Sequence, residues 1–371
     1  MFKTDILFSG FYGQLNTGDD AFVEVASWGA KKYWNKDHNR FLAKETNLPK
    51  TITPTKGYPF SIRNTYGLQA EFLLNRSKAF VFAGGSTIHS KMPANSIRMK
   101  ALEKRQKKYE FRLGAIGVSV GPFKTASDEA AVIEYLKRMD FLAVRDQASF
   151  DYVSSLSLPF TPVNAFDLAA LLPEIYDYQP SSFQQSVKKC VGISVCPYES
   201  VQKGLDPEDE IRRNNMLVDL IKELSKEDDL HFKFYIINGS EKIGDQKLTL
   251  ETIAKANPKS YEVIAYSSST ESIWRSIADC DFIVSTRLHA AIFACFAGTP
   301  FMLNEYHRKC SDFLDSVGYP TKYRLYNSEY SIKEKADMII DVVRDKRKYS
   351  TPIKVEQMRD QAKLNFIKIQ L

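Results

Sequence analysis

Short apolar runs alternate with amphipathic stretches along nearly the whole chain. In the first half, residues 5–9, 79–83, 113–120 and 141–144 are largely apolar or β-branched, the pattern of strands buried on both faces of a parallel sheet. Residues 19–33, 97–109, 128–138 and 147–153 carry helical spacing between them. Thr17 or Asp19 is placed to cap the first of these helices and Ser127 the third, whose Glu129 and Glu134 suit its early turns. The second half repeats the alternation: 191–196, 232–237, 262–265 and 282–285 read as strands, and 209–227, 270–278, 288–297 and 331–345 as helices.

Between the halves, residues 173–189 are polar, aperiodic and proline-containing, which is a linker signal. Strand–helix units repeated in two blocks predict an α/β fold of two Rossmann-like, doubly wound domains facing a cleft. The expected boundaries are 1–175 and 188–345, with 346–371 carrying a last amphipathic helix over 358–369 that packs back across the boundary. In such sheets ligands bind beyond the carboxyl ends of the strands, so the residues just after each strand are the candidates for chemistry.

Composition narrows the class. The chain has 371 residues, of which 44% are hydrophobic and 26% charged, ordinary values for a globular protein of two domains. Lysine plus arginine exceeds aspartate plus glutamate by 51 − 45 = 6, a mild and dispersed excess that favours an anionic ligand without pointing to nucleic acid. No run approaches the roughly 18 apolar residues of a membrane span, and the amino terminus lacks the pattern of a signal peptide, so the expected compartment is the cytoplasm. Five cysteines without a CxxC pair read as reduced thiols and argue against a metal site.

The first strand runs into Gly10-Phe-Tyr-Gly13-Gln-Leu-Asn16-Thr-Gly18-Asp19-Asp20, where glycines let backbone N–H groups approach a ligand at a helix start. The spacing is not GxGxxG, and Asp19 stands where a P-loop needs lysine. A carboxylate there repels a triphosphate; it is suited to accept hydrogen bonds from sugar hydroxyls, to act as a base, or simply to cap its helix. The segment Phe82-Ala-Gly84-Gly85-Ser86-Thr87-Ile88-His89 places paired glycines and His89 at another strand end. His89 reads as a ligand or proton donor, or as a partner of loop carbonyls. Gly117-Val-Ser119-Val-Gly121 spells a nucleophile elbow, but an elbow needs a helix directly after the serine and Pro122 follows instead. Arg145, just past a strand, suits an anion or a neighbouring acid.

The most informative stretch is Asp281-Phe-Ile-Val-Ser-Thr-Arg287-Leu-His289, followed by an apolar helix to Ala297 and Gly298-Thr-Pro300. Arg287 and His289 sit on the opening turn of a helix that carries no charge beyond them. Burying a guanidinium there is costly without an anion, which a bound phosphate or carboxylate would supply through arginine contacts and the helix dipole. The alternative is a buried ion pair with an acidic side chain of the protein itself. Downstream, Asn304 to Lys309 adds further cationic groups.

Taken in order, GFYGQLNTGDDA, FAGGSTIHS, GAIGVSVGP, AVRDQAS, NAFDLAALLP and DFIVSTRLHAAIFACFAGTPFMLNEYHRK resemble the polysaccharide pyruvyl transferase family over residues 4–315. Residues 198–265 match only in their strand–helix pattern. The resemblance implies two Rossmann-like domains of the GT-B kind. It also implies transfer of pyruvate from phosphoenolpyruvate to two hydroxyls of one sugar, on a cell-surface polysaccharide or its lipid-linked precursor, forming a cyclic ketal and releasing phosphate. Under that reading Arg287, with Arg145 and Lys309, grips the donor's anionic groups. His289 donates a proton, and Asp19 or Asp20 orients or deprotonates the acceptor. His89, Asn16 and Gly85 assist binding, and no cofactor or metal is called for beyond phosphoenolpyruvate.

Two other readings stay open. A GT-B glycosyltransferase using a nucleotide sugar shares the fold, although no acidic residue is evidently placed for a ribose. A glycan- or membrane-docking protein would use the basic helix of residues 98–112 against anionic lipid, at the inner face of the membrane; such a run otherwise reads as a solvated helix face.

Overall fold

In the computed structural model, which describes residues 4–179, 188–202, 204–326 and 329–371, the chain folds as two units, each on its own parallel sheet. The first unit takes the chain up to Gln14, Asp19–Ile175 and Glu356–Leu371; the second takes Leu15–Gly18 and Tyr176–Val355.

The first unit's strands are β1 (Thr4–Ser9), β2 (Asn39–Lys44), β3 (Lys56–Tyr58), β4 (Ser77–Ile88), β5 (Arg112–Val120), β6 (Phe141–Val144) and β7 (Val163–Asn164). Their order is β3-β2-β1-β4-β5-β6-β7, all parallel, which is the doubly wound order with its reversal between β1 and β4. The chain passes between these strands through α1 (Thr17–Trp34), α2 (Tyr66–Arg76), α3 (Ile97–Lys107), α4 (Ala126–Leu136) and α5 (Gln147–Ser154), and α6 (Leu172–Ile175) closes the stretch. The central strands are buried on both faces, with Leu7, Phe80, Phe82, Leu113 and Leu142 in one continuous apolar core.

The second unit has β8 (Lys189–Ser194), β9 (Leu230–Tyr235), β10 (Tyr261–Ile264), β11 (Phe282–Ser285) and β12 (Phe301–Leu303) in the order β10-β9-β8-β11-β12, again all parallel. Its helices are α7 (Glu208–Leu224), α8 (Gln246–Ala256), α9 (Thr270–Ala278), α10 (Leu288–Ala297), α11 (Arg308–Ser316) and α12 (Ile332–Arg344). The reversal falls between β8 and β11. The last helix, α13 (Val355–Ile367), packs on the first unit from residue 356 on. There Asn365 Oδ1 accepts the Gly117 N–H at 2.7 Å, and Trp34 donates its indole N–H to the Ile369 carbonyl at 2.8 Å.

Local readings needed correction in three places. The first helix begins at Thr17, two residues earlier than expected, and the Asn16 side chain accepts the Gly18 N–H at 3.1 Å at its start. The fourth helix is capped by Thr125 rather than Ser127, through the Asp128 N–H at 3.1 Å. β4 does not stop at residue 83 but stays paired with β5 as far as Ile88, because Gly84 and Gly85 take φ of +77° and +79° and carry the strand through a shift of register. Of the expected linker, Pro173 lies buried in α6 and Lys189 opens β8, while residues 180–187 lie outside the described residues.

Candidate functional site

The second unit gathers the stretch that carried most weight in the sequence. β11 ends at Ser285, Arg287 is the residue before α10, and no side chain caps that helix. The Ser285 hydroxyl donates to the Arg287 carbonyl at 2.6 Å and accepts from Ser194, also at 2.6 Å, which ties the loop to the end of β8. α10 is buried from Ala290 to Ala297, and it starts three residues past the carboxyl end of β11.

Arg287 is already paired. Asp245, fully buried at the start of α8, accepts the Arg287 Nε at 2.9 Å and its NH2 on the same oxygen. The other carboxylate oxygen accepts the backbone N–H groups of Ile237 at 3.1 Å and Asn238 at 2.8 Å. The expectation of a guanidinium waiting only for an external anion is therefore corrected: the protein supplies a carboxylate of its own. Asp245 lies in the stretch that matched the family only in pattern, and no local signal linked it to a residue so far along the chain. Burial pushes the Asp245 carboxyl up, against the pull of Arg287 and the two amides. Burial works against the Arg287 charge too, but Cys196, Asp245 and Tyr306 together hold it above its ordinary value. Among the described residues, the hydrogen bonds of the Arg287 guanidinium run through Nε and NH2 to Asp245.

Around this pair sit Cys196, whose thiol burial pushes up to about 11, and Tyr306, whose phenol burial raises further. Lys309, at the start of α11, lies with its ammonium 5.0 Å over the Tyr306 ring.

The segment Leu15–Gly18 belongs to this same cluster. Asn16 bridges to Asn238, and Thr17 donates its N–H to the Ile237 carbonyl at 3.0 Å. The His289 ring lies so close to Gly18 that a Cβ there would fall 2.1 Å from Nδ1. Among the sequence candidates, Asn16, Arg287, His289 and Lys309 thus come together in one unit.

The first unit holds the rest, in α1 after β1 and at the ends of β4 and β6. Asp19 Oδ1 comes within 4.0 Å of where a Cβ on Gly85 would sit, so these two candidates are neighbours. Asp20 is buried in the first turn of α1. The Tyr12 hydroxyl donates to the Ala83 carbonyl at 2.8 Å; burial raises its pKa and Asp19 adds to the effect. His89 directly follows β4, and an electrostatic neighbour of its ring is Asp128 of α4.

Of the two roles open to Arg145, the structure shows the pairing with a neighbouring acid. Arg145 is buried, and each of its three nitrogens is engaged: NH1 with Asp167 at 2.8 Å, Nε with Ser119 Oγ at 2.9 Å and NH2 with Ser86 Oγ at 3.3 Å. It clamps the ends of β4 and β5 to the loop after β7, and Asp167, which sequence reasoning passed over, is its counter-ion. Ser119 serves as an acceptor in that clamp, and helix α4 starts well downstream at Ala126, which is incompatible with a nucleophile elbow. Among the described residues no group of three or more His, Cys, Asp or Glu side chains is disposed to hold a metal.

A sequence model of the family described as polysaccharide pyruvyl transferase matches residues 16–308. No curated protein matches the chain in sequence. Among solved structures, a UDP-N-acetylglucosamine 2-epimerase is similar with TM-score 0.59 and 11% identity, covering 100% of this chain and 99% of that one. The UDP-GlcNAc 2-epimerase of Methanocaldococcus jannaschii is similar with TM-score 0.55 and 12% identity over 98% of both chains. An Anabaena protein solved in complex with UDP and glucose has TM-score 0.51 and 12% identity, covering 98% of this chain and 95% of that one. At such identities the likeness shows the fold, two Rossmann-like domains of the GT-B kind, and nothing about substrate.

Proposed function

We propose, for a chain that belongs to the polysaccharide pyruvyl transferase family and is an enzyme of that kind, that the donor is phosphoenolpyruvate and the acceptor a diol on one sugar of a glycan or its lipid-linked precursor. The products are a cyclic ketal and inorganic phosphate. Of the two hydroxyl protons, one ends on the new methyl group and the other on phosphate, so no redox partner or cofactor is required.

The observation that carries this reading is the packing of the His289 imidazole on Gly18, in the cluster that also holds Arg287. Phosphoenolpyruvate brings a phosphate and a carboxylate, and three groups in that cluster suit them. These are the Arg287 guanidinium, the uncapped first turn of α10 and the Lys309 ammonium. Because Asp245 pairs with Arg287, the guanidinium acts here by directed hydrogen bonds, and Lys309 adds a second cation to the cluster. His289 protonates the methylene carbon, which makes the central carbon electrophilic. Asp19, next along the chain from Gly18, takes the acceptor hydroxyl proton, with Asp20 and Gly85 shaping its surroundings; His89 contributes on the acceptor side. Arg145 acts as a positioning residue through Ser86 and Ser119.

The test is phosphate release from phosphoenolpyruvate against a panel of galactosides, glucosides and mannosamine derivatives, with UDP- and GDP-sugars offered in parallel as donors. Phosphate release that His289→Ala abolishes in a folded protein is the expected result. Turnover with a nucleotide sugar and none with phosphoenolpyruvate would overturn the assignment. Retention of more than about a tenth of the rate in His289→Ala would remove that residue from the acid role.

A further inference from the structure

The basic helix α3 is a weaker candidate for touching anionic lipid, because four of its five cations, all but Lys107, are engaged within the protein. Arg98 donates NH1 to the Thr87 carbonyl at 3.3 Å and lies 5.0 Å from the Phe82 ring centre. Lys100 pairs with Glu71, Lys104 donates to the Leu74 carbonyl and to that of Ser77 at 2.8 Å, and Arg105 grips Asp140 through Nε at 2.8 Å and NH2 at 2.7 Å.

A different stretch of the first unit has the opposite character. Between Glu45 and Glu71 there is no aspartate or glutamate, while Lys50, Lys56 and Arg63 are all exposed. Both bracketing acids are engaged within the protein, Glu45 with the Gly57 N–H at 3.4 Å and Glu71 with Lys100. Within the same stretch Ile52, Phe60, Ile62 and Leu68 are 53%, 51%, 57% and 71% exposed. The segment contains β3, the edge strand of the seven-stranded sheet, and leads into α2.

These apolar side chains are held out by a built loop. Gln69, buried in α2, accepts the Phe60 N–H and donates to the Phe60 carbonyl, both at 2.9 Å, and also donates to Thr65 Oγ1 at 2.8 Å. Thr65 in turn donates its hydroxyl to the Ile62 carbonyl at 2.8 Å. Beside the loop the Tyr58 and Tyr66 rings meet at 5.1 Å, with the Lys44 ammonium 5.3 Å from the Tyr66 ring. A buried amide thus pins a turn whose aliphatic tips stand in water, flanked by aromatic rings and cations.

We propose that residues 46–70 form a docking surface for an anionic lipid bilayer. Aliphatic tips enter the interfacial region, tyrosines suit the headgroup level, and lysine and arginine meet the lipid phosphates. Charge separates this occupant from a second copy of the chain, since two such faces would set cations against cations with no carboxylate between them. Among the described residues no helix is long and apolar enough to cross a membrane, so the contact is peripheral. The inference stands apart from the choice of donor.

Co-sedimentation of the whole protein with phosphatidylcholine vesicles, with and without phosphatidylglycerol, tests it. Wild type should sediment with the anionic vesicles, less so as salt is raised. The exposed-site variants Ile62→Asp/Leu68→Asp and Lys56→Glu/Arg63→Glu should each weaken binding by about tenfold or more while melting as wild type does. Wild type that stays in the supernatant, or variants that sediment like it, would overturn the proposal. So would a concentration-dependent dimer that Ile62→Asp/Leu68→Asp abolishes, because that result assigns the face to a second copy. Phosphate release on a soluble acceptor is expected to be unchanged in both variants, so failure of docking and failure of the pyruvyl-transfer reading are told apart.

Discussion

The His289 imidazole occupies the space that any side chain at position 18 would need: a Cβ on Gly18 would fall 2.1 Å from Nδ1 and 2.5 Å from Cγ. Gly18 lies in the first turn of α1, where a change to alanine favours the helix by up to about 1 kcal/mol. Overpacking against a ring typically costs about 1–3 kcal/mol, so the clash wins. Gly18→Ala should lower the melting temperature and cut phosphate release at least about tenfold, since a 1 Å displacement of a catalytic group is enough for that. In a His289→Ala background the same change should become neutral or stabilising. A thermal-melt cycle reads this directly; equal effects in both backgrounds would mean that the two residues are not coupled.

Asp245 and Arg287 make a second testable pair. Asp245→Asn leaves a buried guanidinium without its counter-charge, at a cost of about 3–5 kcal/mol, whereas replacing both partners by apolar groups is often nearly neutral. Urea denaturation should therefore show Asp245→Asn strongly destabilised and Asp245→Asn/Arg287→Met recovered to near wild type. A double variant as unstable as the single one would contradict a simple charge pair.

Arg145→Lys separates clamp from ligand. An ammonium cannot reproduce three directed contacts, so the substitution should reduce stability by about 1.5–3 kcal/mol. If Arg145 only positions strand ends, the KM for phosphoenolpyruvate should change less than about threefold while stability falls. A tenfold rise in KM in a stably folded variant would return Arg145 to the donor.

Lys104 supplies a pH dependence. Burial, and after it the nearby Lys108, lowers its pKa to about 8, while an unfolded lysine titrates near 10.4. Between those values the unfolded chain binds the extra proton, so the contribution of Lys104 is complete above the unfolded pKa and is lost as pH falls through about 8. Relative to wild type, Lys104→Met should gain stability as pH drops from 10 to 7, by about 1 kcal/mol once solvent screening of this part-exposed side chain is allowed for. A pH-independent difference between the two melting curves would show that Lys104 titrates normally.

How much of this was legible follows from how far apart the interacting residues lie. β6, β11, α9 and α10 coincide with the segments read from periodicity, because each is short, apolar or strongly amphipathic and buried by its own pattern. β2 and β3 escaped notice because Arg40 interrupts the apolar run; only the folded chain reveals that its NH1 reaches the Gly57 carbonyl at 2.6 Å and is buried with it. β7 spans two residues, too few to carry a period.

By itself the sequence determined the alternation of strand and helix, the weight of the Arg287–His289 turn and the family, since these depend on residues that are near neighbours along the chain. The partners of the charged groups were decided only in three dimensions. Asp245 for Arg287, Asp167 for Arg145 and Gly18 for the His289 ring are all brought in by strand order from other loops. A buried charge demands a counter-charge, but which carboxylate answers is set by the topology of the sheet, and local pattern carries no record of that.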